Sequence, residues 1–326
     1  MSIRLDLARD SGLTLSDALS VLLPTPAQDL SDLPRTTELV QPFKPFHDHF
    51  AAQGFSSVDA SDAPCGDVIL FVPRAKAQAR ALVHHACQRA SGKIVVDGVK
   101  TDGIDSLLKE VRKRVPVEGP ISKAHGKIFW FAADADAFSD WALSDMTLAG
   151  GYRTVPGVFS SDGIDPASEL LIAAMPDRPG ARIADLGAGW GYLSSRLLER
   201  EGVHSIDLVE ADHVALDCAR HNISDPRARF HWADALNWAA PEPLDTVVMN
   251  PPFHTSRAAD PALGRGFIAA AARSLAPSGQ LWMVANRHLP YEAALEAHFT
   301  RFEELGGDAR FKIFNATRPR RRAGAS

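Results

Sequence analysis

From Arg182 onward, short apolar runs alternate with stretches that carry apolar residues at helical spacing. This alternation constrains the fold more than any other feature of the chain. RIADLG (182–187), HSIDLVE (204–210), RARFHWAD (227–234), LDTVVMN (244–250) and GQLWMVAN (279–286) read as strands. WGYLSSRLLER, DHVALDCARHNI, ALGRGFIAAAARSLA and PYEAALEAHF read as the intervening helices. FEELGG followed by ARFKIFNAT closes the series as a hairpin. Strands that alternate with helices predict a doubly wound, mostly parallel sheet. The hairpin adds an antiparallel edge.

The preceding half is less regular. Residues 1 to about 60 are rich in Pro, Asp and Ser between short apolar pieces. From Asp67 an echo of the second half appears: DVILFVPRA lies on DTVVMNPPF, GKIVVDGV on GQLWMVAN, and HGKIFWFAA on ARFKIFNAT, in the same order. An internal duplication is the expectation. In that alignment Asn250 falls on Val72, Pro252 on Arg74 and Phe253 on Ala75, and the first half has no glycine-rich loop. A second copy of the fold would therefore have lost its chemical groups and would serve docking, folding or stability.

With 326 residues the chain has room for two domains. Its 45% hydrophobic and 23% charged residues are ordinary for a soluble protein. No apolar run is long enough to span a bilayer, and Asp6, Asp10 and Asp17 near the N-terminus do not fit a secretory signal. Cys65, Cys87 and Cys218 stand far apart, which argues against a zinc cluster or a disulfide framework; a reducing cytoplasm and no metal are expected. A net charge of -5 gives no global attraction to nucleic acid. Two local basic runs stand out: Lys109 to Lys127, with Arg112, Lys113, Arg114 and Lys123, and the tail from Arg318 to Arg322. Each reads either as a nucleic-acid contact or as a solvated surface.

The chemistry concentrates at strand ends. Asp185-Leu-Gly-Ala-Gly-Trp-Gly191 follows a strand and opens a helix; Gly187, Gly189 and Gly191 allow a tight turn and close backbone approach by a ligand. A nicotinamide-binding loop has the same form. Asp185, however, is poorly placed for a pyrophosphate and suits the ammonium group of S-adenosylmethionine. Glu210, with Asp212 as its competitor, can accept hydrogen bonds from ribose hydroxyls. Asp234 can meet an adenine amino group or cap the following segment. The fourth strand runs into Asn250-Pro251-Pro252-Phe253, where two prolines end the ladder. Beside a methyl donor, the Asn250 side-chain oxygen and the Pro251 carbonyl can hold a conjugated amine while Phe253 stacks on its ring. His254 is a candidate base or a hydrogen-bonded loop histidine. Trp190 either packs on the donor or faces the core.

The order Asp185-Leu-Gly-Ala-Gly-Trp-Gly, Glu210, Asp234, Asn250-Pro-Pro-Phe-His resembles the class I amino-methyltransferases. GVFSSDGIDPASELL (157–171), ANRHLPYE (285–292) and ARFKIFNAT (309–317) are similar to the RsmC-type family. The resemblance covers roughly residues 150 to 318 and is faint before them. It implies a Rossmann-like class I methyltransferase domain at 149–318, with a mostly parallel seven-stranded sheet and an antiparallel C-terminal hairpin. A smaller, degenerate methyltransferase-like domain at 1–148 would precede it for RNA docking or stability, and a basic flexible tail at 319–326 would follow. It further implies S-adenosylmethionine-dependent methylation of a guanine N2 in ribosomal RNA, most readily 16S RNA, by a monomer. The same chemistry fits a 23S guanine, an adenine N6 or a protein glutamine amide. Phe159, Ser160, Asp162, Gly163 and Asp165 would line the donor pocket or its lid, or else form a structural entry to helix PASELLIAAM with Asp165 as its cap. A nicotinamide oxidoreductase would leave Asn250-Pro-Pro-Phe without a role. A non-catalytic RNA scaffold would fit the first half alone.

Overall fold

The computed structural model describes residues 3–252 and 261–320. They form two compact units. One runs to Asp145 and takes in Val155–Gly157; the other comprises Met146–Thr154 and the chain from Val158.

The first unit contains α1 (Ile3–Asp10), β1 (Leu19–Leu22), β2 (Glu38–Val40), α2 (Lys44–Ala52), β3 (Ser56–Val58), β4 (Asp67–Phe71), α3 (Lys76–Arg89), β5 (Lys93–Val99), α4 (Ile104–Val111), β6 (Glu118–Lys123) and β7 (Gly126–Ala132). The second contains the short pair β8 (Met146–Thr147) and β9 (Arg153–Thr154), then α5 (Pro166–Ala174), β10 (Arg182–Leu186), α6 (Tyr192–Leu198), β11 (Ser205–Glu210), α7 (His213–Asn222), β12 (Ala228–Trp232), β13 (Leu244–Met249), α8 (Pro261–Ser274), β14 (Leu275–Asn286), α9 (Glu292–His298), β15 (Phe299–Gly307) and β16 (Phe311–Pro319).

The sheet of the first unit has the order β3-β2-β1-β4-β5-β7-β6, and that of the second β12-β11-β10-β13-β14-β16-β15. Numbered within each seven-stranded sheet, both read 3-2-1-4-5-7-6. The first five strands are parallel; the seventh pairs antiparallel with the fifth, and the sixth pairs antiparallel with the seventh at the edge. The three echoed segments are the fourth, fifth and seventh strands of each sheet. The duplication also extends to a carboxylate. Asp67 Oδ2 accepts from the Ser16 N–H at 2.6 Å, ahead of β1. Asp245 Oδ2 likewise accepts from the N–H groups of Ala181 and Arg182, at 3.1 and 2.9 Å, where β10 begins.

Each sheet is buried on both faces because its strands alternate side chains between two apolar layers. In the second unit Ala184, Leu186, Val247, Met249, Leu281 and Met283 face one layer, and Ile183, Ile206, Leu208, Val248 and Trp282 the other. In the first unit Leu22, Leu70, Val96 and Phe129 oppose Val21, Ile69, Val95 and Ile128. Helix α4 shows how sequence sets packing: Ile104, Leu107, Leu108 and Val111 recur at helical spacing and are all buried.

Strands β1, β2 and β3 were not legible in residues 1–60. They are four, three and three residues long, too short to show a period. Pro319 and Arg320, counted in the expected tail, belong to the fold. Strand β16 extends through Pro319, and the Arg320 N–H donates to the His298 carbonyl at 2.7 Å.

The first unit has apolar groups where the second has chemical ones. Leu22 pairs with Leu70 as Asp185 pairs with Val248, so a leucine stands at the level of the aspartate. The loop after β1 reads Leu23-Pro24-Thr25-Pro26, not glycine.

Candidate active site

The glycine loop leaves β10 at Leu186 and enters α6 at Tyr192. Gly187, Gly189 and Gly191 have φ of +77°, +55° and +91°, a region that side chains with a Cβ rarely adopt. Space at Gly191 is also tight, since a Cβ there would meet the Ile223 side-chain end at 2.9 Å and the Ala219 Cβ at 3.2 Å. Gly187 to Trp190 line a pocket with Tyr192 and Leu193 from α6, Phe159 and Ser160 from the entry segment, Asp165 and Ser168 at the start of α5, and Asn250 beyond β13.

Asp185 lies fully buried next to this loop. Its Oδ2 accepts from Ser194 Oγ at 2.7 Å, while Oδ1 has no partner. Burial pushes its pKa up to about 7; the Ser194 hydroxyl opposes the rise and the charge of Glu210 adds to it. Such a carboxyl is poised for a cation.

Glu210 ends β11 and organises the loop. Its Oε2 accepts from the Gly189 N–H at 2.7 Å and its Oε1 from the Asp212 N–H at 2.8 Å. Burial raises its pKa, and those backbone donors limit the rise. Asp212 instead caps α7, accepting from the Val214 N–H at 3.0 Å. Burial and Glu210 push the Asp212 pKa up to about 7. A carboxylate oxygen can accept more than one hydrogen bond, so Glu210 keeps acceptor capacity toward a ligand. Glu210→Ala is expected to weaken binding of the methyl donor by about 1–3 kcal/mol through loss of charge-assisted hydrogen bonds. Titration calorimetry giving unchanged affinity would rule out the ribose contact expected of Glu210.

Trp190 faces inward, 3% exposed. Its ring packs on Tyr152 and Tyr192 at centroid distances of 5.1 and 5.8 Å, and its Nε1 donates to the Phe159 carbonyl at 3.0 Å. The loop thus tethers the entry segment. Asn222, the last residue of α7, reinforces it: its Nδ2 donates to the carbonyls of Arg153 and Trp190 at 3.0 and 2.9 Å, and its Oδ1 accepts from the Arg153 N–H at 2.7 Å. Phe159 stands at the pocket rim with an exposed ring.

Asp162 and Asp234 are not among the residues that line this pocket. Asp162 is exposed. Asp234 follows β12, but its Oδ1 accepts from the Leu236 N–H at 2.9 Å and its Oδ2 from Asn237 Nδ2 at 2.7 Å. It caps a local turn, and no helix follows.

Asn250 leaves β13 at the pocket wall. Its Nδ2 donates to Asp165 Oδ2 at 2.8 Å and to Ser168 Oγ at 3.0 Å. Its Oδ1 is buried without a partner. Pro251 is buried and Pro252 exposed. Phe253 and His254 lie outside the described residues. Sequence reasoning missed Ser168, Tyr192, Leu193, Ser194 and Asn222. Only Ser168 carried a local signal, three residues after Asp165 in a helix-capping pattern.

A family model, the methyltransferase small domain, matches residues 151–315, slightly more than half of the chain. The chain belongs to that family. Curated relatives span most of its length. Ribosomal RNA small subunit methyltransferase C of Hahella chejuensis is 28% identical over 275 residues, covering 79% of each chain. The protein of the same name from Shewanella sp. (strain MR-7) is 27% identical over 261 residues, covering 76% of each. Among solved structures, the T. thermophilus 16S rRNA N2 methyltransferase RsmC in complex with AdoMet and guanosine superposes with a TM-score of 0.77 at 22% identity. It matches 97% of this chain and 91% of that one, so the two-sheet architecture is shared throughout. Among the described residues no helix is long and apolar enough to cross a membrane, and no cluster of His, Cys, Asp and Glu is arranged to hold a metal.

Proposed function

We propose that this protein is an S-adenosylmethionine-dependent methyltransferase acting in the cytoplasm on the exocyclic N2 of a guanine in 16S ribosomal RNA. The observation that carries the reading is the buried, unpartnered Oδ1 of Asn250 beside a glycine loop. The orphaned Oδ1 of Asp185, in a carboxyl whose pKa burial pushes up to about 7, fits a cationic donor in that loop. The relatives support the substrate, being named for small-subunit ribosomal RNA or for 16S rRNA N2 methylation.

The bound donor supplies an electrophilic methyl group on a sulfonium. Asp185 would hold the donor through its ammonium group and Glu210 through its ribose. Asn250 Oδ1 and the Pro251 carbonyl accept the two hydrogens of the guanine amine. That draws its lone pair out of conjugation and aims it, so positioning and electrostatics provide the catalysis. As the nitrogen forms its bond to the methyl carbon, the carbon–sulfur bond would break and its electron pair stay on sulfur as a neutral thioether; the cationic nitrogen would then lose a proton to water, without a strong base. The guanine has to leave its stack to reach the site.

We place RNA docking on the first unit. Its basic run is partly committed to the fold: Arg114 forms two hydrogen bonds to Asp140 at 2.5 and 2.8 Å and lies 4.6 Å from the Trp141 ring, and Lys127 pairs with Asp105. Lys109, Arg112 and Lys113 at the end of α4 stay exposed. Neutralising these three is expected to weaken RNA binding and lower the salt slope by about 2–3, one per lost phosphate contact. An unchanged slope in filter-binding titrations would make the run a solvated face.

The deciding experiment is methyl transfer from radiolabelled donor to 30S subunits, 50S subunits and naked ribosomal RNA from cells lacking this protein, with identification of the labelled nucleoside. N2-methylguanosine in 16S RNA is expected. Label in 23S RNA, in adenine or in protein would reassign the substrate.

A further inference from the structure

We infer that Asp165 is a positioning residue that fixes the orientation of the Asn250 amide; this rests on the methyltransferase reading above. One oxygen, Asp165 Oδ2, accepts from three donors: the Ser168 N–H at 2.8 Å, Ser168 Oγ at 3.1 Å and Asn250 Nδ2 at 2.8 Å. The first of these caps α5. The last reaches across 85 residues of sequence to the end of β13. Ser168 Oγ accepts from the same Asn250 nitrogen at 3.0 Å.

The orientation follows from charge and valence. An amide presents two donors at nitrogen and only acceptors at oxygen. The reversed rotamer would set Asn250 Oδ1 against the Asp165 carboxylate, lone pair to lone pair, and would turn the NH2 toward the pocket. A guanine amine also presents hydrogens, so donor would then face donor. With the carboxylate in place both hydrogens of Asn250 Nδ2 are used, and the acceptor is left as the free end. Cap and latch share one oxygen, so the start of α5 and the acceptor contact are set by the same group. Donor binding is assigned to other residues, Asp185 and Glu210, and is not expected to depend on the latch.

The capping duty can be separated from the latch because Asp, Asn and Ser are comparable helix caps. Asp165→Asn keeps an acceptor for Asn250 but loses the charge. Asp165→Ser keeps the cap with a side chain too short to reach Asn250. In the full chain, with 30S subunits as substrate, kcat is expected to fall about 3–10-fold for Asp165→Asn and about 30–100-fold for Asp165→Ser, the scale of a misplaced reacting group. Donor affinity by calorimetry and melting temperature should stay level across all three proteins. The graded loss of kcat at constant fold and donor binding supports the latch, whereas a residue that only caps α5 gives three equal rates. Equal rates in the three proteins, with the unaltered chain active, overturn the latch alone. A loss of donor affinity overturns it too, by making Asp165 a donor-binding group. If the unaltered chain transfers no methyl group, the reading and the latch fall together.

Discussion

Replacing Asn250 by Ala is expected to lower kcat by about 10²–10³-fold, the usual cost of deleting one preorganised hydrogen-bonding group that acts on the reacting atoms. Donor affinity should change little. The prediction follows from where the polar atoms of Asn250 point: Nδ2 is spent on Asp165 and Ser168, and Oδ1 is buried with no internal partner. Truncation removes the acceptor but leaves the Ser168 N–H to Asp165 bond that caps α5, so the pocket wall should survive. Single-turnover methyl transfer and donor titration on the same preparation separate the two effects. Joint loss of donor binding and turnover would make Asn250 a structural residue.

Donor affinity should also tighten as pH rises toward 7 and flatten above it. Asp185 has its pKa pushed up to about 7 by burial, from an ordinary value of 3.8. Between those values the folded, donor-free chain holds a proton that the unfolded chain has released. This group's contribution to stability is therefore full below about 3.8 and falls as pH rises to about 7. Burial raises Asp212 to about 7 as well, and its contribution has the same sign. A cationic donor beside Asp185 favours the carboxylate, so binding in this window expels a proton. Calorimetry at pH 6 in buffers of different ionisation enthalpy should register that proton. Asp185→Asn keeps an acceptor for Ser194 but removes the charge; it should weaken donor binding about 10–100-fold at pH 8 and narrow the gap to the parent at pH 5.5. Affinity that is flat from pH 5.5 to 8, with no proton released, would separate Asp185 from the donor's charge.

The second half was legible because its signals are local. The strands of 182–210 and 244–286 are continuous apolar runs, as strands buried on both faces must be. The loop at 187–191 needs backbone angles that only glycine adopts easily, and its spacing shows this directly. Much less could be read before Asp67. Strands of three and four residues contribute few side chains each, and they exist because neighbours already in the sheet supply the remaining half of every hydrogen-bonded pair. The echo from Asp67 worked because its segments are the longer, central strands.

What the sequence determined by itself was the alternation of elements, the duplication and the residue types at the strand ends: Asp185, Glu210 and Asn250. What only the tertiary structure decided was which atoms of those residues are free. Glu210 and Asp212 differ by two positions; one grips the glycine loop and the other caps a helix. Trp190 turned inward to hold the Phe159 carbonyl. Asp234 anchors its own turn through both oxygens, each of which can still accept a further bond. The orientation of Asn250 depends on the start of a helix 85 residues away. Hydrogen-bond valence is settled by partners brought together in space, and linear spacing carries no record of partners that distant.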